Sequence, residues 1–144
     1  MPDYLNQKII PVGSLSEPLL VTIRNENESD QADLTDAQVQ FRAFKQQTDR
    51  KGLVIPVADT PDLTISVGTG LERKDNSPTV SSFFFQMNDA QLSALLGDAN
   101  SVRYGYAWYV RPVGATDYYR AFLGGGFDGY FTVVREGYAG VDEI

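Results

Sequence analysis

The sequence predicts a single all-β domain, an antiparallel β-sandwich with one short helical turn. Apolar and polar residues alternate in several short runs, which is the pattern of strands that are buried on one side only. Glycines and prolines separate these runs at short intervals, as in sandwiches and barrels and unlike chains that alternate strands with helices. The chain has 144 residues, of which 42% are hydrophobic, and this is enough to form one core without disulfides.

The first part of the chain predicts an N-terminal arm, one strand and a loop. Residues 1–16 contain prolines and a glycine around an apolar patch at residues 9–12, and we expect an arm that packs on the domain or on a neighbour. Residues 19–23 are β-prone and predict the first strand of a domain that spans residues 17–136. Residues 24–36 are acidic and have no apolar periodicity, so they predict a solvated loop.

A hairpin is predicted next. In residues 37–43 every second residue is apolar, with Phe41 in the middle of the apolar side, which indicates a half-buried strand. A turn at residues 45–52 leads to a return strand at residues 53–57. Pro56 has no backbone N–H to donate, so it places the return strand at a sheet edge or ends it.

Two further strands are predicted in the middle of the chain. Residues 63–67 alternate again, and residues 80–87 predict a strand whose Phe83 and Phe85 share one side. The segment between them, residues 68–78, is rich in turn-forming residues, so we expect a turn there.

One short helix follows these strands. Asn88 or Asp89 suits the N-cap of a helical turn at residues 90–96, because a side-chain oxygen there can accept from the first free N–H groups. Gly97 ends this turn, since glycine adopts the backbone conformation that closes helices.

The last third of the chain predicts a central strand at residues 102–110 and a closing strand. One side of the central strand is apolar and carries Val102, Tyr104, Tyr106, Trp108 and Val110. A turn at residues 112–116 and a returning strand at residues 118–123 follow it. The glycine triplet at residues 124–126 then breaks the sheet, and residues 129–134 form the closing strand. Residues 137–144 are expected to form a C-terminal tail.

The charge and the missing residue types restrict the function. A net charge of −7 repels phosphate backbones and anionic membrane surfaces, so we expect neither nucleic acid nor membrane as a partner. No apolar run is long enough to span a bilayer, and the first residues do not resemble a signal peptide. These features favour a protein made in a cytoplasm.

Catalytic chemistry is also restricted. The chain has no Cys and no His, which removes thiol and imidazole catalysis and most transition-metal sites. Asp117 and Asp128 lie in predicted turns and show no sign of the buried pair that glycoside hydrolysis requires. We therefore predict a non-enzymatic protein with no cofactor and no metal site.

The candidate partner-contact residues are Tyr109, Tyr119, Arg103 and Arg111. Seven aromatic residues cluster in the last third of the chain, and they suit either core packing or a recognition surface. Tyr109 and Tyr119 are out of phase with the apolar sides, so we expect them to be exposed. Arg103 and Arg111 lie opposite the apolar side of the same strand, and together with Arg120 they are either ordinary surface charges or contacts for an acidic partner.

Four segments carry a resemblance to a known family: "DLTDAQVQFRAF" (residues 33–44), "SSFFFQMND" (81–89), "QLSALLGDANSVRYGYAWYV" (91–110) and "GYFTVV" (Gly129–Val134). Their order resembles the immunoglobulin-like modules at the front of bacteriophage baseplate and tail-fibre proteins. The resemblance implies an immunoglobulin-like sandwich that orders a subunit in the virion and offers sheet edges and loops to neighbouring subunits. It transfers no functional residues.

The sequence thus predicts a structural component of a tailed-bacteriophage virion, assembled in the host bacterial cytoplasm. Because modules of this family usually lead into a longer region whereas this sequence ends at Ile144, a collar or head-decoration protein is as plausible as a tail or baseplate protein. The expected partners are other virion proteins and further copies of the chain, in a homo-oligomer or multi-copy assembly. The alternative is a carbohydrate-binding β-sandwich module that binds a glycan through exposed aromatic rings.

Overall fold

The computed structural model describes residues 5–13, 19–24, 34–48, 50–68, 70–122 and 126–136. Its strands are β1 (Lys8–Pro11), β2 (Leu19–Arg24), β3 (Gln38–Thr48), β4 (Val54–Pro56), β5 (Leu63–Ser66), β6 (Leu71–Asn76), β7 (Val80–Phe85), β8 (Ser101–Arg111), β9 (Tyr119–Arg120) and β10 (Gly129–Val134), and its helix is α1 (Asp89–Leu96). The prediction of an all-β sandwich with a short helix is confirmed. The predicted tail, residues 137–144, and most of the predicted acidic loop lie outside the described residues.

The larger sheet has the order β1-β10-β8-β3-β4, with β5 also paired to β3 and β9 paired to β8. The long strands β3 and β8 form its centre and pair antiparallel, with Phe41 opposite Trp108. One pairing departs from the antiparallel pattern, because β1 runs parallel to β10. Strand β1 lies within the range predicted as an arm, and Ile10 in this strand is buried. The boundary at residue 16 stays a prediction.

The smaller sheet has the order β2-β7-β6 and is antiparallel. Its strand β6 occupies residues that the sequence predicted as a turn, and that prediction was wrong. The strand is charged after Leu71, and charges of this kind are common on edge strands because they discourage pairing with other chains. A register shift between Arg73 and Asp75 interrupts its pairing with β7, so β6 is bulged as well as polar.

Aromatic side chains hold the two sheets together. Phe85 of the smaller sheet lies 4.5 Å from Phe41 and 5.2 Å from Trp108, measured between ring centroids. Phe41 and Trp108 are themselves 5.0 Å apart within the larger sheet. All three rings are at most 1% exposed, so the apolar sides predicted for these strands do form the core.

Helix α1 packs on this core through the buried side chains of Leu92, Leu95 and Leu96. Asn88 is its N-cap: the Asn88 side chain accepts from the Gln91 N–H at 2.8 Å, and the Gln91 side chain accepts from the Asn88 N–H at 2.9 Å. This reciprocal pair is a capping box. At the other end, the Tyr104 hydroxyl donates to the Leu95 carbonyl. Burial, with a smaller contribution from the charge of Asp62, raises the pKa of Tyr104 to about 12, so its hydroxyl keeps its proton at neutral pH. In the described part of the chain, no helix is long and apolar enough to cross a membrane.

Replacing Asn88 by Ala is expected to lower the free energy of unfolding by about 1 kcal/mol, since it leaves the Gln91 N–H without its acceptor. Urea unfolding followed by circular dichroism measures this change. Ser93→Ala is the matched control, because Ser93 is exposed on the same helix. Equal effects of the two substitutions would contradict a capping role for Asn88.

Candidate interaction surface

The outer side of the larger sheet carries a set of arginine and tyrosine side chains. On β8 these residues alternate with the core residues, and cross-strand pairs extend the set: Arg42 of β3 lies opposite Ala107, and Tyr130 of β10 lies opposite Gly105. Directly opposed residues of an antiparallel pair point to the same side, so the set forms one surface. We call it the Arg–Tyr face, and its members are Arg42, Arg103, Tyr109, Arg111, Tyr118, Arg120 and Tyr130.

Each arginine of the Arg–Tyr face lies over a tyrosine ring. The Arg42 guanidinium carbon is 4.0 Å from the centre of the Tyr109 ring and 5.2 Å from that of Tyr118. The Arg111 guanidinium carbon is 5.1 Å from the centre of the Tyr118 ring, and the Arg120 guanidinium carbon is 5.8 Å from the centre of the Tyr109 ring. Such cation–π contacts contribute about 0.5–1 kcal/mol each at exposed sites. They also restrict the long arginine side chains, so this part of the surface is ordered before any partner binds.

The other half of the face is built around Phe127. Its ring covers Gly105 of β8 and lies 5.5 Å from Phe44 and 5.9 Å from Tyr130. Arg103 then lies over the Tyr130 ring at 4.7 Å. The position of Phe127 requires glycine at 105, because a Cβ there would lie 2.7 Å from the Phe127 ring. Phe44, Phe127 and Tyr130 thus form a small aromatic cluster on the outer side of the sheet, next to Arg103.

Asp128 fixes the segment that carries Phe127. One carboxylate oxygen accepts from the Trp108 N–H at 2.8 Å, and the other accepts from Arg120 at 3.0 Å. The Arg120 guanidinium also donates to the Gly126 carbonyl at 2.6 Å. Both oxygens of Asp128 are thus used to hold chain segments together, which is a structural role.

The Arg–Tyr face has the opposite charge to the chain as a whole. Arg120 is paired with Asp128, whereas Arg42, Arg103 and Arg111 rest on aromatic rings, which leave their charge unneutralised. The chain itself has a net charge of −7. A cluster of arginines on an acidic protein is complementary to an acidic partner surface.

The structure brings three of the four candidate partner-contact residues onto this face, namely Arg103, Tyr109 and Arg111. The fourth, Tyr119, is 58% exposed but pairs with Val110, so it points away from the side that carries Tyr109. Tyr109 is half-buried, with Arg42 and Arg120 over its ring, so the expectation that it is exposed was wrong. The role of these four residues in partner contact stays a prediction.

Sequence reasoning missed Arg42, Tyr118 and Tyr130 as members of the face. The signal for two of them was present, since Arg42 and Tyr130 each directly neighbour a buried phenylalanine in an alternating strand. Tyr118 lies outside the regular strands, and only the fold places it between Arg42 and Arg111. Among the described residues, no group of three or more acidic side chains is placed to hold a metal ion.

Comparison with known proteins gives no match. No protein-family model, no curated protein and no solved structure is significantly similar to this chain.

Replacing Gly105 by Ala is expected to destabilise the protein by about 1–3 kcal/mol, the usual cost of extra volume at a packed position. The new methyl group would displace Phe127 and with it the support of Tyr130. Thermal unfolding measures the change, and Gly126→Ala is the matched control, because a Cβ at Gly126 meets no atom within 4 Å. A fully stable Gly105→Ala variant would contradict the packing of Phe127 on β8.

Proposed function

We propose that this chain is a non-enzymatic structural component of a tailed-bacteriophage virion and acts through protein–protein contacts of the Arg–Tyr face. The virion assignment is supported by the resemblance of four segments to immunoglobulin-like phage modules. The assembly contacts are supported by one structural observation, the ordered arginine and tyrosine side chains on the outer side of the larger sheet.

Arginine and tyrosine are the residue types that suit such a role. Together with tryptophan they are enriched among the residues that contribute most to binding at protein interfaces. In this chain the sheet backbone and the stacked rings already restrict Arg42 and Arg111. Binding therefore costs these arginines less side-chain entropy than it would cost arginines that rotate freely in the unbound protein.

The same geometry favours an acidic protein over a glycan. A sugar ring binds an aromatic side chain by lying against the face of its ring. Arginine side chains already lie against the rings of Tyr109 and Tyr130, so a sugar would compete with them. An acidic side chain instead pairs with the guanidinium groups and leaves the stacking in place.

Mass spectrometry of purified phage particles that carry this gene tests the proposal. The chain should be present in several copies per particle and should remain after high-salt washing. Its absence from intact particles, with the chain found free in the lysate, would overturn the virion assignment.

A matched pair of double variants tests the surface. When the double variant Arg42→Gln/Arg111→Gln is the only version of the chain produced, particles should incorporate it about tenfold less than the original chain. The reason is that both arginines are expected to be main contributors to binding. Lys45→Gln with Arg135→Gln removes the same charge from other surfaces and should incorporate normally. Equal incorporation of both double variants would contradict the role of the Arg–Tyr face while leaving the virion assignment intact.

A further inference from the structure

Three arginines of the Arg–Tyr face lie in a row along strand β8. Arg103 and Arg111 belong to β8 and are eight residues apart, and Arg42 of β3 lies opposite Ala107, halfway between them. Because strand residues are about 3.3 Å apart, this row spans about 27 Å along the strand, in two steps of about 13 Å. We call it the arginine row. Its length favours a partner that presents several acidic groups along a line.

Within the described residues, the arginine row has no acidic partner of its own. Asp128 is the one described acid that pairs with an arginine of the face, and that arginine is Arg120, which is not part of the row. Asp117, which precedes Tyr118, is exposed, and it forms no ion pair with a described residue. The row thus keeps three positive charges that a partner can neutralise.

The chain itself contains a segment of complementary charge. Residues 25–33, "NENESDQAD", include four acidic residues and no basic one, and we call them the acidic segment. Glu26 and Asp30 are four residues apart, and four residues of chain can span about 13 Å. This distance equals one step of the arginine row, so these two carboxylates can meet two neighbouring arginines at once.

Both ends of the acidic segment are held on the smaller sheet. Arg24, before the segment, pairs with Val80 of β7, and the N–H of Leu34, after the segment, donates to the Pro78 carbonyl at 3.0 Å. Pro78 and Val80 lie at the turn between β6 and β7, so the two ends are close together. The smaller sheet packs on the core side of the larger one, whereas the Arg–Tyr face lies on the outer side.

The acidic segment of one molecule is too short to lie along its own arginine row. Ten residues of chain lead from Arg24 to Leu34, and they can span about 35 Å. Because the ends are close together, the middle of the segment can lie at most about 17 Å from them. Packed sheets are about 10 Å apart, so reaching the outer side of the larger sheet uses most of this length. The acidic segment of a second copy has no such limit.

We propose that the acidic segment of a second copy docks along the arginine row. This inference rests on the proposed function and identifies the virion protein that contacts the Arg–Tyr face as another copy of this chain. Carboxylates pair with the N–H groups at the rim of a guanidinium, while its flat side stays on the tyrosine ring. Two copies can exchange their segments in a symmetric dimer, and a segment passed on to a third copy gives a ring or a filament.

Two variants, each lacking one half of the contact, test the inference by complementation. The row variant is Arg42→Gln/Arg111→Gln, and the segment variant is Glu26→Gln/Glu28→Gln/Asp30→Asn. In sedimentation velocity experiments the original chain should associate as its concentration rises, and each variant alone should need at least about a tenfold higher concentration. An equimolar mixture should associate again, because the intact segment of the row variant meets the intact row of the segment variant.

A second set of acids provides the matched control. Asp59→Asn/Glu72→Gln/Asp98→Asn removes the same number of charges as the segment variant, from exposed positions elsewhere, and should leave association unchanged. All variants should keep the circular dichroism spectrum of the original chain. Raising the salt concentration from about 0.05 to about 0.5 M should weaken the association of the original chain, since salt screens exposed charges.

Four results would each overturn the inference: an original chain that stays monomeric, a segment variant that associates as strongly as the original chain, a mixture that stays monomeric, or an association that salt does not weaken. These measurements use the purified chain, whereas the proposed function is tested in particles. Reduced incorporation of the row variant with normal incorporation of the segment variant would show that the face docks to a different virion protein. In that case the inference fails while the proposed function stands.

Discussion

Replacing Phe41 by Ala is expected to lower the free energy of unfolding by about 3–5 kcal/mol, the usual cost of deleting a buried phenylalanine ring. Phe41 has no exposed surface, and its ring lies 4.5 Å from Phe85, 5.0 Å from Trp108 and 5.5 Å from Tyr106. Phe85 belongs to the smaller sheet and the other two to the larger one, so the substitution opens a cavity where the sheets meet. Because domains are stable by only about 5–15 kcal/mol, much of the stability should be lost.

The matched control is Phe84→Ala, which deletes the same ring from an outer surface. Phe84 is 43% exposed, and its removal should cost about 1 kcal/mol or less. The midpoint of urea unfolding compares the two variants, provided that the slope of the transition is unchanged. Similar midpoints for both would show that Phe41 does not lie between packed sheets.

Removing residues 1–13 is expected to destabilise the protein by about 3–6 kcal/mol, because Leu5 and Ile10 would each lose the burial of a large side chain. These side chains are 2% and 6% exposed. The truncation also frees an edge of β10, where Val12 N–H donates to the Val134 carbonyl at 2.9 Å. Thermal unfolding of the truncated chain measures the total loss.

Two neighbouring isoleucines provide the control for this truncation. Ile10→Ala should cost about 2–4 kcal/mol because Ile10 faces the core, whereas Ile9→Ala should cost less than about 1.5 kcal/mol because Ile9 is 38% exposed. A truncated chain as stable as the full one would mean that residues 1–13 are a separable arm rather than part of the sheet.

Local alternation was sufficient to predict the centre of the fold. In β3 and β8, apolar residues occupy every second position, and this alone identified Phe41 and Trp108 as core residues and Arg103 and Arg111 as surface residues. The same pattern cannot predict β6, which has Leu71 as its one buried residue. A strand that is polar on both sides is defined by its hydrogen-bonded partner, and that partner is not visible in its own sequence.

Long-range contacts account for the other features that sequence reasoning did not find. In the parallel pairing of β1 with β10, Lys8 lies opposite Phe131, so residues far apart in the sequence are neighbours. The N-terminal segment has few apolar residues, and its pattern therefore does not predict this pairing. Likewise, Phe127 supports the Arg–Tyr face only because Gly105 leaves room for its ring. Alternation shows which side a residue faces, but it does not show which loop covers that side.

Photo-cross-linking from the Arg–Tyr face during particle assembly tests most directly whether this surface docks to other virion proteins. A photoreactive phenylalanine derivative replaces Tyr118, which lies between Arg42 and Arg111, or, as control, Ser93 on the exposed side of α1. We predict that the chain labelled at position 118 cross-links to another virion protein in purified particles and that the chain labelled at position 93 does not. Cross-links from position 93 alone, or equal cross-links from both positions, would contradict a docking role for the Arg–Tyr face.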